Sequence, residues 1–415
     1  MDIKITPSQQ ISGQVYAPPS KSYAHRYIIS AFLSRQSGFI ENVGNSKDVY
    51  ATLNALKAVG LNYEMKDNGV SLYFSSLEKC AIINCNESGS TLRFLLPVIS
   101  ALGIKATFTG KGKLLQRPIL DLTNCLNENG AEIDRFIVNG KLKSGEYKIT
   151  GSVSSQFISG LLLALPILNG DSKIIIDGEL VSKDYINVTL DVLKTFNINI
   201  DKTTYGYYVK GNQTYVMPTK AIVEGDFSGA SFILAMGLLG GSSSVLNLNK
   251  NSAQGDRKII DALKLFGGDI KEIIGGYQAK KSKLKGITLD CENIPDLVQI
   301  LSVVGAYAEG TTTLKNVSRL KDKESDRIEG IIKNLTASGV SASYDGKDLV
   351  IKGKNKVIGG VFSGDNDHRT VMAFSVLSAF CGGDSVVSDS EAVDKSYPNF
   401  FKDYIALGGK INGNI

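Results

Sequence analysis

One short segment sets the architecture of this chain: Leu265-Phe266-Gly267-Gly268-Asp269-Ile270, where an apolar helix end is followed by glycine and then by an alternating strand. The residue after a helix C-terminus commonly takes a left-handed conformation, which glycine accepts freely and asparagine tolerates. Five more segments have this form, with asparagine in the third: residues 58–63, 128–133, 195–200, 337–342 and 406–411. We therefore predict six helices that each end in this way and lead into a strand.

The six segments recur every 67 to 72 residues and fill the 415-residue chain without a low-complexity linker. Such a fixed period indicates repeats of one supersecondary unit. Each unit has room for two helices as well as strands; for example, the pattern predicts helices over residues 87–102 and 120–129. Strands that alternate with helices predict the α/β fold class, and six units of this size divide most naturally into two domains of three.

The composition is that of a soluble globular protein, with 43% apolar and 21% charged residues. The longest apolar stretch, residues 157–168, is well short of the roughly 20 residues that span a bilayer. Met1-Asp2-Ile3-Lys4 leads directly into an alternating strand pattern without a signal-peptide core. We therefore expect a cytoplasmic protein with no membrane contact. A net charge of +5 argues neither for nor against nucleic acid.

The five cysteines form no CxxC pair and are expected to be buried, reduced thiols: Cys80, Cys85, Cys125, Cys291 and Cys381. The chain has two histidines, His25 and His368, which argues against a zinc site. Acid–base chemistry is therefore expected to fall to carboxylates and lysines.

Basic residues lie at or near the starts of several predicted helices: Lys21, Arg26, Arg93, Arg117, Lys323, Arg327 and Arg369. Serine and aspartate at such positions have a structural explanation as helix caps, but cations oppose the helix dipole there. Their recurrence predicts that helix starts and cations converge on a strongly anionic ligand. The sequence has neither a GxxxxGK[ST] loop nor a GxGxxG fingerprint, so a nucleotide site of either kind is not predicted.

Two acids are candidates for catalysis, Asp296 and Glu324, each beside a predicted helix start. Asp296 could equally be a helix N-terminal carboxylate, and Glu324 could cap a helix or pair with Lys323 or Arg327. Spacing does not decide between these interpretations.

Eight motifs occur in the order found in 5-enolpyruvylshikimate-3-phosphate (EPSP) synthases, a family that the chain resembles over essentially its whole length: Ser20-Lys21-Ser22 with Arg26, Gln116-Arg117-Pro118, the segment 151–157, Leu180-Val181-Ser182-Lys183 with Tyr185, Ile294-Pro295-Asp296, the segment 323–327, Asn366-Asp367-His368-Arg369, and Lys395. The Ser-Ser-Gln-Phe and Lys-Glu-Ser-Asp-Arg motifs are the most specific of these.

The resemblance implies two similar inside-out α/β barrel domains, each of three βαβαββ units. The first domain would comprise residues 1–19 and 224–415, and the second residues 20–223. The resemblance also implies a reaction on the shikimate pathway to chorismate and the aromatic amino acids. In it, the enolpyruvyl group of phosphoenolpyruvate moves to the 5-hydroxyl of shikimate 3-phosphate and phosphate is released. No metal or organic cofactor is implied, and we expect a monomer with no nucleic-acid partner.

The resemblance also assigns the ligand-binding residues. The shikimate 3-phosphate site would contain Lys21, Ser22, Arg26, Ser154, Ser155, Gln156, Ser182, Tyr185, Asp296 and Lys323. The phosphoenolpyruvate site would contain Lys21, Gly89, Arg117, Gln156, Arg327, Arg369 and Lys395. Asp296 would act as the base at the hydroxyl, and Glu324 would carry the methylene proton, with Lys21 as a rival for that role.

The chain departs from the family pattern at Glu87, where many members have asparagine, and at Arg319, which we align with an asparagine that contacts the substrate phosphate. Two other readings stay open. UDP-N-acetylglucosamine enolpyruvyl transferases share the fold but usually carry a reactive cysteine before the Arg-Pro pair, where this chain has Gly110 to Gln116. RNA-end-processing proteins of related architecture would need a basic stripe with exposed aromatic residues, and the sequence shows none.

Overall fold

The computed structural model describes residues 1–412, and within them the chain forms 12 α-helices and 24 β-strands. Six units of two helices and four strands account for these totals. The predicted α/β class is confirmed.

The strands from residue 1 to residue 223 are β1 (Ile3–Thr6), β2 (Ile11–Tyr16), β3 (Gly38–Glu41), β4 (Leu61–Lys66), β5 (Gly69–Phe74), β6 (Cys80–Asn84), β7 (Lys105–Thr109), β8 (Ile133–Asp134), β9 (Ile137–Val138), β10 (Glu146–Thr150), β11 (Ser172–Asp177), β12 (Asp201–Thr203), β13 (Gly206–Val209) and β14 (Ala221–Ile222). The later strands are β15 (Gly241–Leu246), β16 (Asp269–Ile273), β17 (Gly276–Lys280), β18 (Thr288–Asp290), β19 (Thr311–Lys315), β20 (Ser341–Tyr344), β21 (Leu349–Lys352), β22 (Val361–Phe362), β23 (Ser385–Val387) and β24 (Lys410–Asn412).

The helices are α1 (Lys21–Ser34), α2 (Lys47–Lys57), α3 (Gly89–Leu102), α4 (Leu120–Glu128), α5 (Ser155–Ala164), α6 (Lys183–Thr195), α7 (Phe227–Gly240), α8 (Ile259–Leu265), α9 (Val298–Ala306), α10 (Arg327–Ala337), α11 (His368–Ser378) and α12 (Phe400–Ala406). Short 3-10 turns precede several of them, including Pro295–Leu297 before α9 and Ser318–Asp322 before α10.

The four-stranded sheets of the described chain all follow one plan, which the sheet β6-β7-β9-β8 illustrates. Strands β6 and β7 are parallel, as a crossover through α3 requires, whereas β8 and β9 form an antiparallel hairpin beside β7. The other sheets are β10-β11-β13-β12, β14-β3-β5-β4, β16-β17-β15-β2, β18-β19-β21-β20 and β22-β23-β1-β24. This is the βαβαββ arrangement that the resemblance implied.

The predicted helix ends are confirmed by the backbone. All six predicted residues have positive φ: 110° at Gly60, 95° at Gly130, 62° at Asn197, 92° at Gly267, 76° at Gly339 and 102° at Gly408. Left-handed conformations are strained for residues with a Cβ and favour glycine, with asparagine as the common exception. The sequence repeat therefore reflects one requirement that recurs in the structure: a residue with positive φ after each of these six helices.

The chain divides into two compact units. The first unit combines Met1–Pro18 with the chain from Glu224 onward, and the second unit is Pro19–Val223. In the first unit, β1 lies between β23 and β24, and β2 pairs in parallel with β15. In the second unit, β14 returns to pair with β3.

Helices form the interior of each unit. In the first unit, α7, α9 and α11 pack against one another, and every residue of α9 and α11 is buried. In the second unit, α3 packs against α5, and both helices are buried along nearly their whole length. No helix in the described part of the chain is long and apolar enough to cross a membrane.

The prediction of five buried thiols is wrong for Cys80, which is exposed, and right for the other four cysteines. Cys80 begins β6, a strand at the edge of its sheet, whose side chains are mostly turned toward solvent. Burial raises the pKa of the thiols of Cys85, Cys125 and Cys291 to about 12.

Candidate active site

The first helix of the second unit begins at Lys21, directly after the buried Ser20. Nζ of Lys21 lies 2.8 Å from Oδ2 of Asp48, which lies in the first turn of α2. The two side chains are only 16% and 12% exposed. The structure thus places Lys21 at a helix start, as predicted, and gives it a carboxylate partner that sequence analysis missed.

The start of α3 lies against Arg117. A Cβ added at Gly89 would be 2.6 Å from Nη1 of Arg117, so the guanidinium group rests on the first residue of the helix. Ser88 caps the helix by accepting a hydrogen bond from the backbone N–H of Thr91 at 3.2 Å. The positive end of the helix dipole and a guanidinium group therefore meet, which suits a phosphate or carboxylate.

The Ser-Ser-Gln motif forms the start of α5. Ser154 caps this helix by accepting a hydrogen bond from the backbone N–H of Gln156 at 3.3 Å. The side-chain amide of Gln156 donates to Oγ of Ser90 at 2.9 Å and accepts from Nη1 of Arg93 at 2.7 Å. Gln156 therefore joins the start of α5 to the first turns of α3. The adjacent Ser155 is almost fully buried.

Ser182 precedes α6 in a left-handed conformation, with φ 53° and ψ 43°, and its side chain is buried. A left-handed residue other than glycine is strained, and such strain often occurs at functional sites. The backbone carbonyl of Tyr185, one turn on, accepts a hydrogen bond from Nη2 of Arg26 at 3.0 Å.

Arg26 lies beneath these helix starts with its guanidinium group enclosed by protein. Nε donates to Thr189 at 2.7 Å, and Nη1 donates to the carbonyl of Ser22 at 2.7 Å. The group also lies 4.7 Å from the ring centroid of Phe94. Burial lowers the pKa of Arg26 to about 9. Arg26 thus ties α1 to α6, and its predicted contact with ligand stays a prediction.

In the first unit, Asp296 lies among three cations. Its Oδ1 is 2.9 Å from Nη1 of Arg327 and 3.5 Å from Nζ of Lys323. Its Oδ2 is 2.9 Å from Nη2 of Arg369. The carboxylate group remains 17% exposed, whereas the side chain of Arg327 is 1% exposed. The structure brings together four residues that are spread over more than seventy positions of the sequence, from Asp296 to Arg369.

Glu324 joins this cluster through Arg327, whose Nη2 lies 2.9 Å from Oε2 of Glu324. One guanidinium group thus contacts both acids predicted to be catalytic. Glu324 therefore forms the ion pair with Arg327 that the sequence left open. Through this arginine it also lies near Asp296.

Burial lowers the pKa of the neighbouring Lys323 to about 8, and Arg327 adds to this effect, although Asp296 opposes it. Arg319, which departs from the family pattern, lies close enough to lower the pKa of Lys323 further. Lys323 is therefore expected to lose its proton at a lower pH than an ordinary lysine.

Sequence analysis named the motif that contains the acid that orients Arg327, but it missed the role of this acid. Asp367 is fully buried, caps α11, and lies 2.7 Å from Nε of Arg327. Burial alone would lower the pKa of Arg327, but Asp367, Glu324 and Asp296 together raise it above its usual value. The position of Asp367 directly before a helix was the available signal, because capping aspartates have fixed geometry.

A second missed acid, Asp256, lies in a 3-10 turn behind Arg369. Nη1 of Arg369 donates to Oγ of Ser228, and Ser228 is hydrogen-bonded to Asp256. Burial first and then the charge of Asp296 raise the pKa of Asp256 to about 7. No sequence motif signals this residue, because it reaches the cluster only through the fold.

Lys395 ends the 3-10 turn Ser390–Lys395, and its Nζ donates to the carbonyl of Asn366 at 2.6 Å. Asn366 directly precedes the cap of α11, so Lys395 lies beside the same helix start as Arg369. In the described chain, no group of three or more histidine, cysteine or acidic side chains is placed to hold a metal ion.

Each unit thus gathers helix N-termini, arginines and lysines, and the first unit adds two acids on one arginine. A fold of repeated βαβαββ units with such clusters defines an enzyme for small, multiply anionic ligands. The EPSP synthase (3-phosphoshikimate 1-carboxyvinyltransferase) family profile matches residues 5–404. The chain belongs to the EPSP synthase family.

Relatives agree with this assignment, and solved structures share the fold. The chain is 41% identical to the 3-phosphoshikimate 1-carboxyvinyltransferase of Clostridium novyi, over 99% of this chain and 98% of that protein, and 40% identical to its counterpart in Clostridium kluyveri over the same shares. A solved EPSP synthase from Acinetobacter baumannii has the same fold, with a TM-score of 0.83 at 24% identity and 99% coverage of both chains. The enolpyruvyl transferase NikO from Streptomyces tendae also shares the fold, with a TM-score of 0.80 at 15% identity and coverage of 99% of this chain and 98% of that one.

The predicted family, reaction and enzyme class are therefore confirmed. The protein is a transferase that moves an enolpyruvyl group in the shikimate pathway of aromatic amino-acid biosynthesis, and its family uses shikimate 3-phosphate and phosphoenolpyruvate. The UDP-N-acetylglucosamine and RNA-processing alternatives are not favoured by these findings.

Proposed function

We propose that Asp296 is the base and Glu324 the proton carrier of enolpyruvyl transfer in this chain. The observation that carries this proposal is the contact of both carboxylates with the single guanidinium group of Arg327, each at 2.9 Å. This contact holds the two acids at a fixed separation. The guanidinium group between them can also bind the phosphate or carboxylate of a substrate.

We assign the substrates to the helix starts described above. Phosphoenolpyruvate would be held by Lys21, Gly89, Arg117, Gln156, Arg327, Arg369 and Lys395. Shikimate 3-phosphate would be held by Lys21, Ser22, Arg26, Ser154, Ser155, Gln156, Ser182 and Tyr185, with Asp296 and Lys323. Helix N-termini and arginines bind phosphate and carboxylate groups, which both substrates carry.

The proposed chemistry has two steps. First, the substrate 5-hydroxyl oxygen bonds to the central carbon of phosphoenolpyruvate, its proton passes to Asp296, and an acid protonates the methylene carbon. The resulting tetrahedral intermediate then loses phosphate as the carbon–oxygen bond breaks, and a proton leaves the methyl group to restore the double bond.

The ion pairs suggest how the base becomes available. Arg327 and Arg369 both contact Asp296. When these arginines turn toward the groups of phosphoenolpyruvate, Asp296 loses cationic partners. A carboxylate with fewer cationic neighbours accepts a proton more readily.

The test uses two conservative variants. Asp296→Asn keeps shape and hydrogen-bonding capacity but removes the base, so turnover is expected to fall about a hundredfold or more, within the usual range of general-base catalysis. Binding of shikimate 3-phosphate, measured by calorimetry, should change much less. Near-normal turnover of the Asn variant would contradict the role of Asp296.

Glu324→Gln separates the proton carrier from its rival Lys21. Solvent deuterium should enter the methylene group of phosphoenolpyruvate in the presence of shikimate 3-phosphate, as measured by mass spectrometry of recovered substrate. Exchange should fall with turnover in the Gln variant. If exchange continues at the normal rate, Lys21 becomes the proton carrier, and Lys21→Arg provides the matching variant.

We further propose that the two compact units are the two domains of a monomer that works in the cytoplasm, without nucleic-acid or membrane partners. All five cysteines lie in the described chain and are free thiols, which fits a reducing compartment. Light scattering on purified protein would test the monomer, and cell fractionation would test the location.

A further inference from the structure

Four buried polar side chains form one hydrogen-bonded chain through the second unit: His25, Thr52, Thr91 and Ser88. Each is fully buried. Nδ1 of His25 lies 2.7 Å from Oγ1 of Thr52, which lies 2.7 Å from Oγ1 of Thr91, which in turn donates to Oγ of Ser88 at 2.8 Å. The chain links α1, α2 and α3, and it ends on the residue that caps α3.

The direction of these hydrogen bonds follows from the last one. Thr91 uses its hydroxyl proton on Ser88, so Thr52 must donate to Thr91. The oxygen of Thr52 is then the acceptor for His25, which must carry its proton on Nδ1. The other ring nitrogen, Nε2, is buried with no hydrogen-bond partner within the described residues, as expected for a neutral ring with a lone pair there.

The surroundings of His25 also favour the neutral ring. The residue is enclosed, and its edge meets the ring of Phe94 at a centroid distance of 6.4 Å. Burial, followed by the charges of Lys21 and Arg26 on the same helix, keeps the pKa of His25 well below its usual value. The carboxylate on the neighbouring α2, Asp48, is paired with Lys21 and not with the ring.

We propose that His25 is a positioning residue: through Thr52 and Thr91 it fixes the N-terminus of α3, so that the backbone at Gly89 and Ser90 faces phosphoenolpyruvate beside Arg117. This inference rests on the proposed assignment of phosphoenolpyruvate to Gly89 and Arg117. It goes beyond that assignment by giving a role to a residue that contacts neither substrate.

The first test removes hydrogen bonds from the series His25–Thr52–Thr91–Ser88 and then restores one of them. His25→Leu and Thr52→Val remove a donor, whereas His25→Asn keeps an N–H near the position of Nδ1. Ser30→Ala is the matched control, because Ser30 is fully buried in α1 and its hydroxyl has no hydrogen-bond partner in the described chain. Steady-state kinetics, calorimetry with shikimate 3-phosphate and thermal melting are measured for each variant.

Loss of one buried hydrogen bond is expected to raise the KM for phosphoenolpyruvate about tenfold in His25→Leu and Thr52→Val. Affinity for shikimate 3-phosphate should stay within about twofold, and His25→Asn and Ser30→Ala should keep the KM of the unchanged protein. An unchanged KM in the Leu and Val variants, or equal losses of both substrates together with the melting temperature, would overturn the proposal.

A second test needs neither turnover nor a folded variant. The chain has two histidines, so a long-range nitrogen–proton NMR spectrum of protein labelled with ¹⁵N-histidine shows two rings. The ring of His25 should stay neutral, with its proton on Nδ1, as pH falls through the ordinary histidine pKa. A proton on Nε2, or titration near the ordinary histidine pKa, would overturn the proposal. Absence of phosphate release by the unchanged protein would instead refute the proposed function.

Discussion

Arg327 shows how much one side chain fixes at the residue scale. Its three nitrogens contact Asp367, Asp296 and Glu324. A planar guanidinium group offers donors in a rigid fork, so these three carboxylates cannot move independently while the contacts last. Lysine could supply the charge but not this geometry.

Lys323 predicts a pH dependence. Its pKa of about 8 lies below that of an ordinary lysine, so the side chain loses its charge as pH rises through about 8. If the charged form binds shikimate 3-phosphate, kcat/KM for this substrate should fall over that range. Lys323→Arg keeps the charge, so its pH profile should stay flat to higher pH. An identical alkaline limb in both proteins would contradict this assignment.

Gly89 predicts a steric effect. In Gly89→Ala the new methyl group would lie 2.6 Å from Nη1 of Arg117 and must displace the guanidinium group. The KM for phosphoenolpyruvate should rise by about tenfold or more, as expected when a charged hydrogen bond is lost, while affinity for shikimate 3-phosphate changes little. Gly382→Ala is the control, because its Cβ would make only ordinary contacts of 3.4 Å or more.

At the element scale, the helix ends make a prediction about stability. Asn197 has a φ of 62° after α6, where Asn197→Gly should be tolerated. Asn197→Val should destabilise the protein by about 1–2 kcal/mol, because a β-branched residue resists the left-handed conformation. Urea unfolding measures the difference. Asn199→Val, at an exposed position two residues later, should cost much less; equal costs would contradict the explanation.

The sequence predicted the features that depend on local backbone conformation, which are the ends and the starts of helices. Six helix ends could be located because each requires positive φ, and Lys21, Gly89 and Asp296 could be placed at helix starts because capping has a local signature. The role of Asp256 and the hydrogen-bonded series that links His25 to Ser88 could not be predicted, because the partners of these residues lie on other elements. Cys80 was misjudged because the sequence does not tell which strand ends a sheet.

At the scale of the whole molecule, we predict coupled binding. In the assignment proposed above, both ligands use Lys21 and Gln156, so the first ligand would position residues that the second ligand then uses. Calorimetry should show that shikimate 3-phosphate binds alone and that phosphoenolpyruvate binds much more tightly once it is present. Equal phosphoenolpyruvate affinity with and without the first ligand would contradict this prediction.

The pairing of β1 between β23 and β24 has a consequence for synthesis on the ribosome. Ile3–Thr6 emerges long before Ser385–Val387 and Lys410–Asn412 exist, and at roughly 5–20 residues per second the wait is tens of seconds. Pro19–Val223 has all its strands by then and can fold first. The nascent β1, with Ile3 and Ile5 uncovered, is meanwhile an unpaired strand open to wrong partners, and chaperones that bind early segments would protect this one.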